Sequence, residues 1–412
     1  MTKARRGYIL VQALVVIAGL LALMAMLAAD QRVSTQAVQD RLRLRRAEAA
    51  DEAAVARALA VVQDVNPNVV TLKDDWAKLG DNGGEEFDLG DSTFRMQIVD
   101  AGSLVNVNRA ASEQMERLPL TQEQIHCLLD WREAKTQARP DGAKDSYYNS
   151  LPTPYNAKLG PLATTDELLL VKGWTGQTLY QAPPSAASDQ LLTDAAGVSL
   201  PLASLFTADS GAPNTRADGA PRLNLGQPGT DPVALIQAGV SPGLAYQIAA
   251  QAPFASWSAL LALPATQSEA ANPLLDIVTF TNDKRTEGKI NLNTAPQAVL
   301  RTLPAVTPGL ASAIVSRQSE GFHRLSDLAA LPSAAPSRLA SLADSFTVGS
   351  DTWIVRAYGR SGGVGVAVEA VVGLREGRAQ VVTWTRLNTT SLPRWWGWTA
   401  QAGSTGDAGD AR

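Results

Sequence analysis

The chain has 412 residues, of which 45% are apolar and 18% charged, and its net charge is −4. This length allows two or three domains with cores of their own, and the acidic balance argues against a protein whose task is to bind nucleic acid. The one cysteine, Cys127, cannot form an intramolecular disulfide, so packing must stabilise the fold.

A short basic leader opens the chain. Residues 1–7 hold three cations and end in Gly7, and the next 22 residues, 8–29, carry no charge. As a helix, that stretch would rise roughly 33 Å, about the thickness of a bilayer's hydrocarbon core. The leader is too short for a secretory signal, and no small-x-small cleavage motif follows. We predict a transmembrane helix over 8–29 whose N-terminus the cations hold in the cytoplasm.

The apolar stretch is predicted to continue as one helix as far as Asp64. Residues 31–64 contain no Pro or Gly, and Asn66-Pro67-Asn68 ends the pattern. A group of arginines favours a solvated helix face just outside the membrane, with a nucleic-acid patch as the alternative. The group is Arg41, Arg43, Arg45 and Arg46.

β-rich runs lie at both ends of the remaining chain. Residues 92–108 are predicted to form a strand, a turn and a second strand. Three further runs, 353–358, 364–372 and 379–387, are separated by Gly-containing turns. A long helix followed by an antiparallel sheet is an α+β arrangement, and here more than 200 residues interrupt the sheet.

The interrupting segment, 109–335, contains an internal repeat. Each copy begins with asparagine between apolar residues, as in Val105-Asn106-Val107-Asn108 and Ile290-Asn291-Leu292-Asn293, and ends with two apolar residues six positions apart. Each is predicted to form a short helix, a tight turn and two more helices, so the insertion is predicted to be all-α. The copies are expected at about 105–173, 222–264 and 290–331, with a linker at 181–221.

The predicted organisation follows from these elements. It comprises a leader at 1–7, a transmembrane helix at 8–29, a helix with the first strands at 30–108, the insertion at 109–335, the C-terminal strands at 336–390 and a disordered tail at 399–412. Trp395, Trp396 and Trp398 are expected to pack back on the sheet, and a docking patch is the alternative.

No catalytic motif accompanies this organisation. His126 and His323 are the two histidines, and neither has the spacing of a metal site. Neither Gly-x-Ser-x-Gly nor a phosphate-binding loop occurs. His126 and Cys127 are neighbours on a predicted helix, so their side chains do not face each other. We predict no enzymatic activity and assign no catalytic residue.

The leader and the apolar helix resemble the type IV pilin and pseudopilin class. The resemblance implies that a prepilin peptidase cleaves between Gly7 and Tyr8 and methylates Tyr8. The class usually has Glu at the fifth mature residue, which is Gln12 here. An uncharged amide would pair more weakly with a neighbour's N-terminal amine, which favours a place at a filament tip. An uncleaved anchor with a chance glycine is the alternative.

The chain as a whole resembles the minor pseudopilin K family of the type II secretion system. The resemblance is carried by Val105-Asn106-Val107-Asn108, Leu129-Asp130-Trp131-Arg132, residues 145–148, 150–152 and 166–173, and Ile290-Asn291-Leu292-Asn293-Thr294-Ala295. It implies a pilin-like α+β fold whose all-α insertion has helix-hairpin-helix or SAM-like repeats. It also implies a tip subunit that initiates pseudopilus assembly and supports export of folded proteins across the outer membrane.

The same resemblance implies a location and a set of partners. The protein would be a single-pass inner-membrane protein of a Gram-negative bacterium with its soluble part in the periplasm. The partners would be minor pseudopilins I and J, the major pseudopilin, the prepilin peptidase and the inner-membrane secretion platform. No nucleic acid is expected among them.

Members of that family are associated with calcium in the loop after the Asp-Trp-Arg motif. Two of the four usual acidic positions there are Lys135 and Lys144, and a lysine opposes a bound cation. A weakened or relocated calcium site and an acidic loop without an ion both stay open. The candidate ligands are Asp130, Glu133, Asp141 and Asp145.

The repeats also resemble the helix-hairpin-helix family, so a membrane-anchored DNA receptor of the competence type is the alternative function. In the DNA-binding form, a Gly-apolar-Gly hairpin presents free backbone amides to phosphate. Here Thr121, Ser241 and Thr307 replace the second glycine. All three are N-cap residues by type, so the protein itself is expected to meet those amides.

Overall fold

The computed structural model describes residues 3–183, 193, 197–266, 272–331, 338–389 and 391–398, and for residues 3–10 and 29 it describes the backbone alone. The segment 399–412, for which disorder is predicted, lies outside the described residues, as do the first two residues of the leader.

The helices and strands follow in chain order. The helices are α1 (Lys3–Gln63), α2 (Asp75–Lys78), α3 (Ser112–Met115), α4 (Gln122–Arg132), α5 (Asp145–Tyr148), α6 (Gly176–Tyr180), α7 (Pro232–Gln237), α8 (Pro242–Gln251), α9 (Trp257–Leu261), α10 (Leu274–Ile277), α11 (Gln297–Leu300), α12 (Pro308–Gln318) and α13 (Leu339–Ser345). The strands are β1 (Glu86–Leu89), β2 (Ser92–Asp100), β3 (Val105–Asn106), β4 (Phe206–Thr207), β5 (Gly211–Pro213), β6 (Leu223–Asn224), β7 (Val278–Thr279), β8 (Arg285–Glu287), β9 (Ile290–Asn291), β10 (Phe346–Thr347), β11 (Thr352–Ser361), β12 (Val364–Arg375) and β13 (Arg378–Arg386).

The long N-terminal helix is continuous, as the absence of Pro and Gly beyond Gly19 predicts. α1 has 61 residues and is therefore roughly 90 Å long. It ends at Gln63, one residue before the predicted end and three before Asn66-Pro67. In its first half the side chains that the structure describes, from Val11 on, are exposed, whereas its second half lies on the sheet.

Five strands form one antiparallel sheet in the order β1-β2-β11-β12-β13. The three predicted C-terminal runs are β11, β12 and β13, so the α+β, pilin-like prediction is confirmed. Residues 104–108, predicted to return as a strand of this sheet, do not belong to it. A turn at Ala101–Ser103, where the Asp100 side chain accepts from the Gly102 amide, leads the chain out into the insertion instead.

Small side chains allow α1 to approach the sheet closely. A Cβ atom on Gly359 in β11 would lie 2.1 Å from the carbonyl oxygen of Ala47, so that close approach requires glycine. The buried α1 residues on this seam are Ala47, Ala50, Asp51, Ala54, Val55, Ala58 and Val62. Alanine dominates the seam because a larger residue would hold the helix away from the strands.

The insertion is not all-α, and the prediction was wrong on this point. In the described part it also contains the parallel pair β6–β7 and the antiparallel pair β5–β8. Its strands β4 and β9 pair in parallel with β3 and β10, which lie just outside its predicted bounds. Each parallel pair joins the start of one copy of the repeat to a Phe-Thr or Val-Thr dipeptide at its end. Two-residue strands have too little periodicity to be detected from the sequence.

The same contacts close all three copies. The first asparagine of each copy accepts a hydrogen bond from the amide two residues later: Asn106 from Asn108 (2.9 Å), Asn224 from Gly226 (2.8 Å) and Asn291 from Asn293 (3.0 Å). The amide between them donates to a threonine carbonyl at 2.9 Å, from Val107 to Thr207, Leu225 to Thr279 and Leu292 to Thr347. The copies therefore close at 207, 279 and 347, beyond the predicted ends of the repeat.

The segment predicted as a linker, 181–221, is partly packed. Leu202, Leu205 and Phe206 are buried in the core of the insertion, where Phe206 lies 6.1 Å from Trp174 between ring centroids. Its richness in Ala, Ser, Pro and Asp predicted a loop, but the closing strand of the first copy lies within it.

Candidate functional site

The first half of α1 presents an uncovered apolar surface. Large apolar side chains from Val11 to Leu42 are each more than half exposed, and the most apolar window of α1 has a mean hydropathy of 2.5 with none of it buried. Of the helices that the structure describes, α1 is the one long and apolar enough to cross a membrane. The surface can therefore be covered by lipid or by the apolar helices of other subunits.

The predicted processing residues lie in the first turns of this helix. The backbone is helical through Gly7 and Tyr8, and Gln12 is on the exposed apolar part of α1. The three positions therefore lie together on the segment of α1 that precedes the sheet and the insertion.

An acid is buried where α1 meets the sheet. Asp51 is 0% exposed, and neither of its carboxyl oxygens makes a hydrogen bond of normal geometry to the described residues. Burial raises the pKa of Asp51 to about 8, against the opposing effects of the Gly359 backbone amide and of Arg386. Asp51 therefore binds a proton at neutral pH, a feature that the alanine-rich sequence around it did not reveal.

A network of charges fixes the insertion to the sheet. Arg285 on β8 donates from Nε and Nη2 to the two carboxyl oxygens of Asp351, at 2.7 and 3.0 Å, next to the start of β11. The same guanidinium reaches Asp209 at 2.8 Å and Glu287 at 3.0 Å. A Cβ atom on Gly211 would lie 2.4 Å from the Arg285 guanidinium carbon, so the backbone there leaves space for the arginine.

A second arginine completes this network from the sheet side. Arg375, at the end of β12, reaches Asp209 at 3.1 Å and Asp351 at 3.0 Å. The two carboxylates are thus each shared by one arginine from the insertion and one from the sheet. Bidentate and shared contacts of this kind restrict rotation of the insertion against the sheet.

A buried acid makes a further attachment beside it. Asp100, 1% exposed at the end of β2, accepts hydrogen bonds from Asn291 Nδ2 at 2.8 Å and Thr294 Oγ1 at 2.6 Å, both in the third copy of the repeat. Asn291 also donates to the carbonyl of Val70, just after α1. The third copy is therefore held to both the sheet and the segment that follows α1.

The tryptophans before the C-terminal tail pack on the sheet, as predicted. Trp396 is buried and donates from Nε1 to Glu369 on β12 at 2.8 Å. The Trp395 ring lies 4.6 Å from that of Tyr180 in α6. This segment therefore also links the sheet to the first copy of the repeat, which leaves less of its surface for a docking patch.

The acidic loop after α4 is occupied by the protein's own cations. Arg139 binds Asp130 through Nη1 at 2.7 Å and Glu133 through Nη2 at 2.6 Å. Asp145 accepts the backbone amide of Ala157, and the Asp141 carbonyl accepts from Cys127. Within the described ranges no three His, Cys, Asp or Glu side chains are arranged to hold a metal ion.

In two of the three repeat hairpins a side chain caps the N-terminus of the following helix. Thr121 and Gln124 form the predicted capping box on α4, and Thr307 accepts from the Leu310 amide on α12 at 3.2 Å. Ser241 is an exception, because its side chain is exposed and makes no capping bond. One first-turn backbone donor of the kind that DNA phosphate would need is therefore already used at each of α4 and α12.

The histidines are not arranged for catalysis. The His126 ring donates to the carbonyl of Pro140 and Cys127 to that of Asp141, so each neighbour is held by the loop and not by the other. His323 is exposed in the third copy. Burial raises the pKa of the Cys127 thiol to about 11, which keeps it protonated and unreactive at neutral pH.

Comparison with known proteins agrees with these features. Residues 102–187, from the turn after β2 to beyond α6, match the family model of the type II secretion system (T2SS), protein K. A chain of the GspK-GspI-GspJ complex from the enterotoxigenic Escherichia coli type 2 secretion system has the same fold, with a TM-score of 0.53 and 14% identity over 85% of this chain and 99% of that chain. No protein with a curated description matches the sequence.

The family model covers the Asp-Trp-Arg motif and the loop after it, which are among the residues that carry the resemblance. The shared fold extends over most of the remaining chain. The two findings confirm the resemblance of this chain to the protein K family of type II secretion minor pseudopilins.

Proposed function

We propose that this chain is a minor pseudopilin of a type II secretion system, anchored by α1 in the inner membrane of a Gram-negative bacterium with its head in the periplasm. The family match at residues 102–187 carries the proposal. The uncovered apolar half of α1 supports it, because that surface requires a membrane or a bundle of similar helices.

The proposed position is the tip of the pseudopilus, where this subunit initiates assembly and supports export of folded proteins across the outer membrane. Gln12 carries no charge with which to pair the N-terminal amine of a subunit ahead of it. The insertion adds bulk above the sheet, and the Arg285 network and Asp100 hold it in a fixed place. Such a head would obstruct a further subunit above it.

Minor pseudopilins I and J are the proposed direct partners, since the solved structure of similar fold is a GspK-GspI-GspJ complex. The major pseudopilin would follow below them in the filament. The inner-membrane secretion platform would be the site of assembly.

Full-length tagged chain in detergent, co-expressed with the I and J subunits of the same secretion system, should retain both through purification. An unrelated single-pass protein with the same tag is the control. Failure to retain either subunit, or cross-links that show this chain repeated along a filament, would overturn the proposal. A salt-dependent mobility shift with duplex DNA in the absence of such capture would favour the DNA receptor instead.

Processing by the prepilin peptidase is proposed between Gly7 and Tyr8, followed by methylation of Tyr8. Mass spectrometry of the protein purified from membranes should find a chain that begins at methylated Tyr8. Co-expression with an inactive peptidase is the control and should give the intact leader. A native chain that keeps Met1, or one cut near Ala28, would contradict the assignment.

A further inference from the structure

The loop after α4 is closed around a buried carboxylate. Asp130 is 0% exposed, and Arg139 contacts both of its carboxyl oxygens, with Nη1 on Oδ1 at 2.7 Å and the backbone amide on Oδ2 at 2.9 Å. A Cβ atom on Gly142 would lie 2.0 Å from Oδ2, so the backbone wraps the carboxylate too closely for any side chain at that position. Arg139 also binds Glu133 at 2.6 Å.

A second cation lies at the end of α4. Lys144 is 4% exposed, and its ammonium donates to the main-chain carbonyls of Asp130 and Glu133, the latter at 2.9 Å. These carbonyls are among the last of the helix and have no partner within it. They are also oxygens of the kind that coordinate calcium. An ammonium therefore lies against the oxygens to which a metal ion would bind.

The donor set does not fit calcium, which takes six to eight oxygens. Both oxygens of Asp130 and one of Glu133 are bound by Arg139, and Asp145 Oδ1 accepts from the Ala157 amide. Glu133 Oε2 is buried without a partner among the described residues. A divalent ion would have to displace two cations that already contact these oxygens, and their charges would repel it.

We infer that Arg139 and Lys144 take the structural place of calcium in this chain, so that the loop 133–160 folds and keeps its shape whether or not calcium is present. The two cations are covalently part of the chain, and no metal has to be bound for the loop to close. This inference concerns the loop alone and does not depend on the partners proposed above.

Thermal unfolding of the full-length chain in detergent tests the inference. The wild-type midpoint should be the same in CaCl2 and in EDTA, because no site accepts the ion. Lys144→Met keeps most of the side-chain volume but removes the ammonium, and it should lower the midpoint by several degrees in either buffer. Lys144→Arg retains a cation and should lose less.

Lys135→Met is the matched control, because it removes the same charge from an exposed position in the same loop. Its midpoint should equal that of the wild type. A rise in the wild-type midpoint on addition of CaCl2, or equal midpoints for Lys144→Met and Lys135→Met, would overturn the inference. If Lys144→Met does not fold, the response of the wild type to CaCl2 and the comparison of Lys144→Arg with Lys135→Met still decide it.

Discussion

Replacing Arg285 with alanine is expected to lower the free energy of unfolding by about 3 kcal/mol. The substitution removes both contacts to Asp351, whose side chain is 7% exposed, and the contact to Asp209. Removing one partner of a buried pair leaves the other charge uncompensated. The loss should lie at the low end for such pairs, because Arg375 still binds both carboxylates.

The midpoint of unfolding in urea of the full-length chain measures this effect. Arg285→Lys keeps the charge but not the planar fork, so it should fall between the wild type and the alanine variant. Arg216→Ala is the matched control, because Arg216 pairs with an Asp218 side chain that is 55% exposed and should contribute below about 1 kcal/mol. Equal midpoints for Arg285→Ala and Arg216→Ala would show that the network does not hold the insertion to the sheet.

The sequence predicted the parts of the fold that have long, regular patterns. The helix α1 follows from a stretch that lacks Pro and, after Gly19, also Gly, and the strands β2, β11, β12 and β13 follow from alternating apolar residues. The capping box at Thr121 follows from a local motif of four residues. In each case residues that are close in the sequence determine the structure, so these elements can be predicted from the amino-acid sequence alone.

Contacts between distant residues could not be predicted. The Phe-Thr and Val-Thr dipeptides that close the copies of the repeat are too short to be recognised as strands, although their recurrence at Thr207, Thr279 and Thr347 is visible once the pairing is known. Arg285 and Asp351 are 66 residues apart, and nothing local marks them as partners.

The acidic loop shows how far residue type alone can lead. The prediction of candidate calcium ligands counted carboxylates and noted the opposing lysines, which was sufficient to question the site. It could not show that Arg139 binds two of those carboxylates or that Lys144 is buried against the helix end. Composition limits the charge of a loop, whereas the pairing depends on its three-dimensional path.

Asp51 is the position where the structure departs furthest from sequence expectation, and its replacement with asparagine is expected to stabilise the protein at pH 8. Burial raises the pKa of Asp51 to about 8 in the native state, against 3.8 for an unperturbed aspartate. Below about pH 4 Asp51 is protonated in both the folded and the unfolded state, so its ionisation does not change the free energy of unfolding. Between these values only the unfolded state ionises, so stability falls as pH rises, by up to about 1.4 kcal/mol per pH unit.

Above pH 8 both states are ionised, and the accumulated loss, at most about 6 kcal/mol, is constant. Asp51→Asn has nearly the same shape but no titrating proton, so its stability should depend less on pH across this window. Urea unfolding at pH 5 and pH 8 measures the difference.

Asp40→Asn is the matched control on the same helix, because the Asp40 side chain is 62% exposed and its replacement should leave the wild-type pH dependence in place. The charged groups around Asp51, which are Glu48 and Glu52 on α1 and Arg386 on β13, remain in both variants. If Asp51→Asn and Asp40→Asn have the same pH dependence, the carboxyl of Asp51 is ionised in the folded protein and α1 does not bury a proton against the sheet.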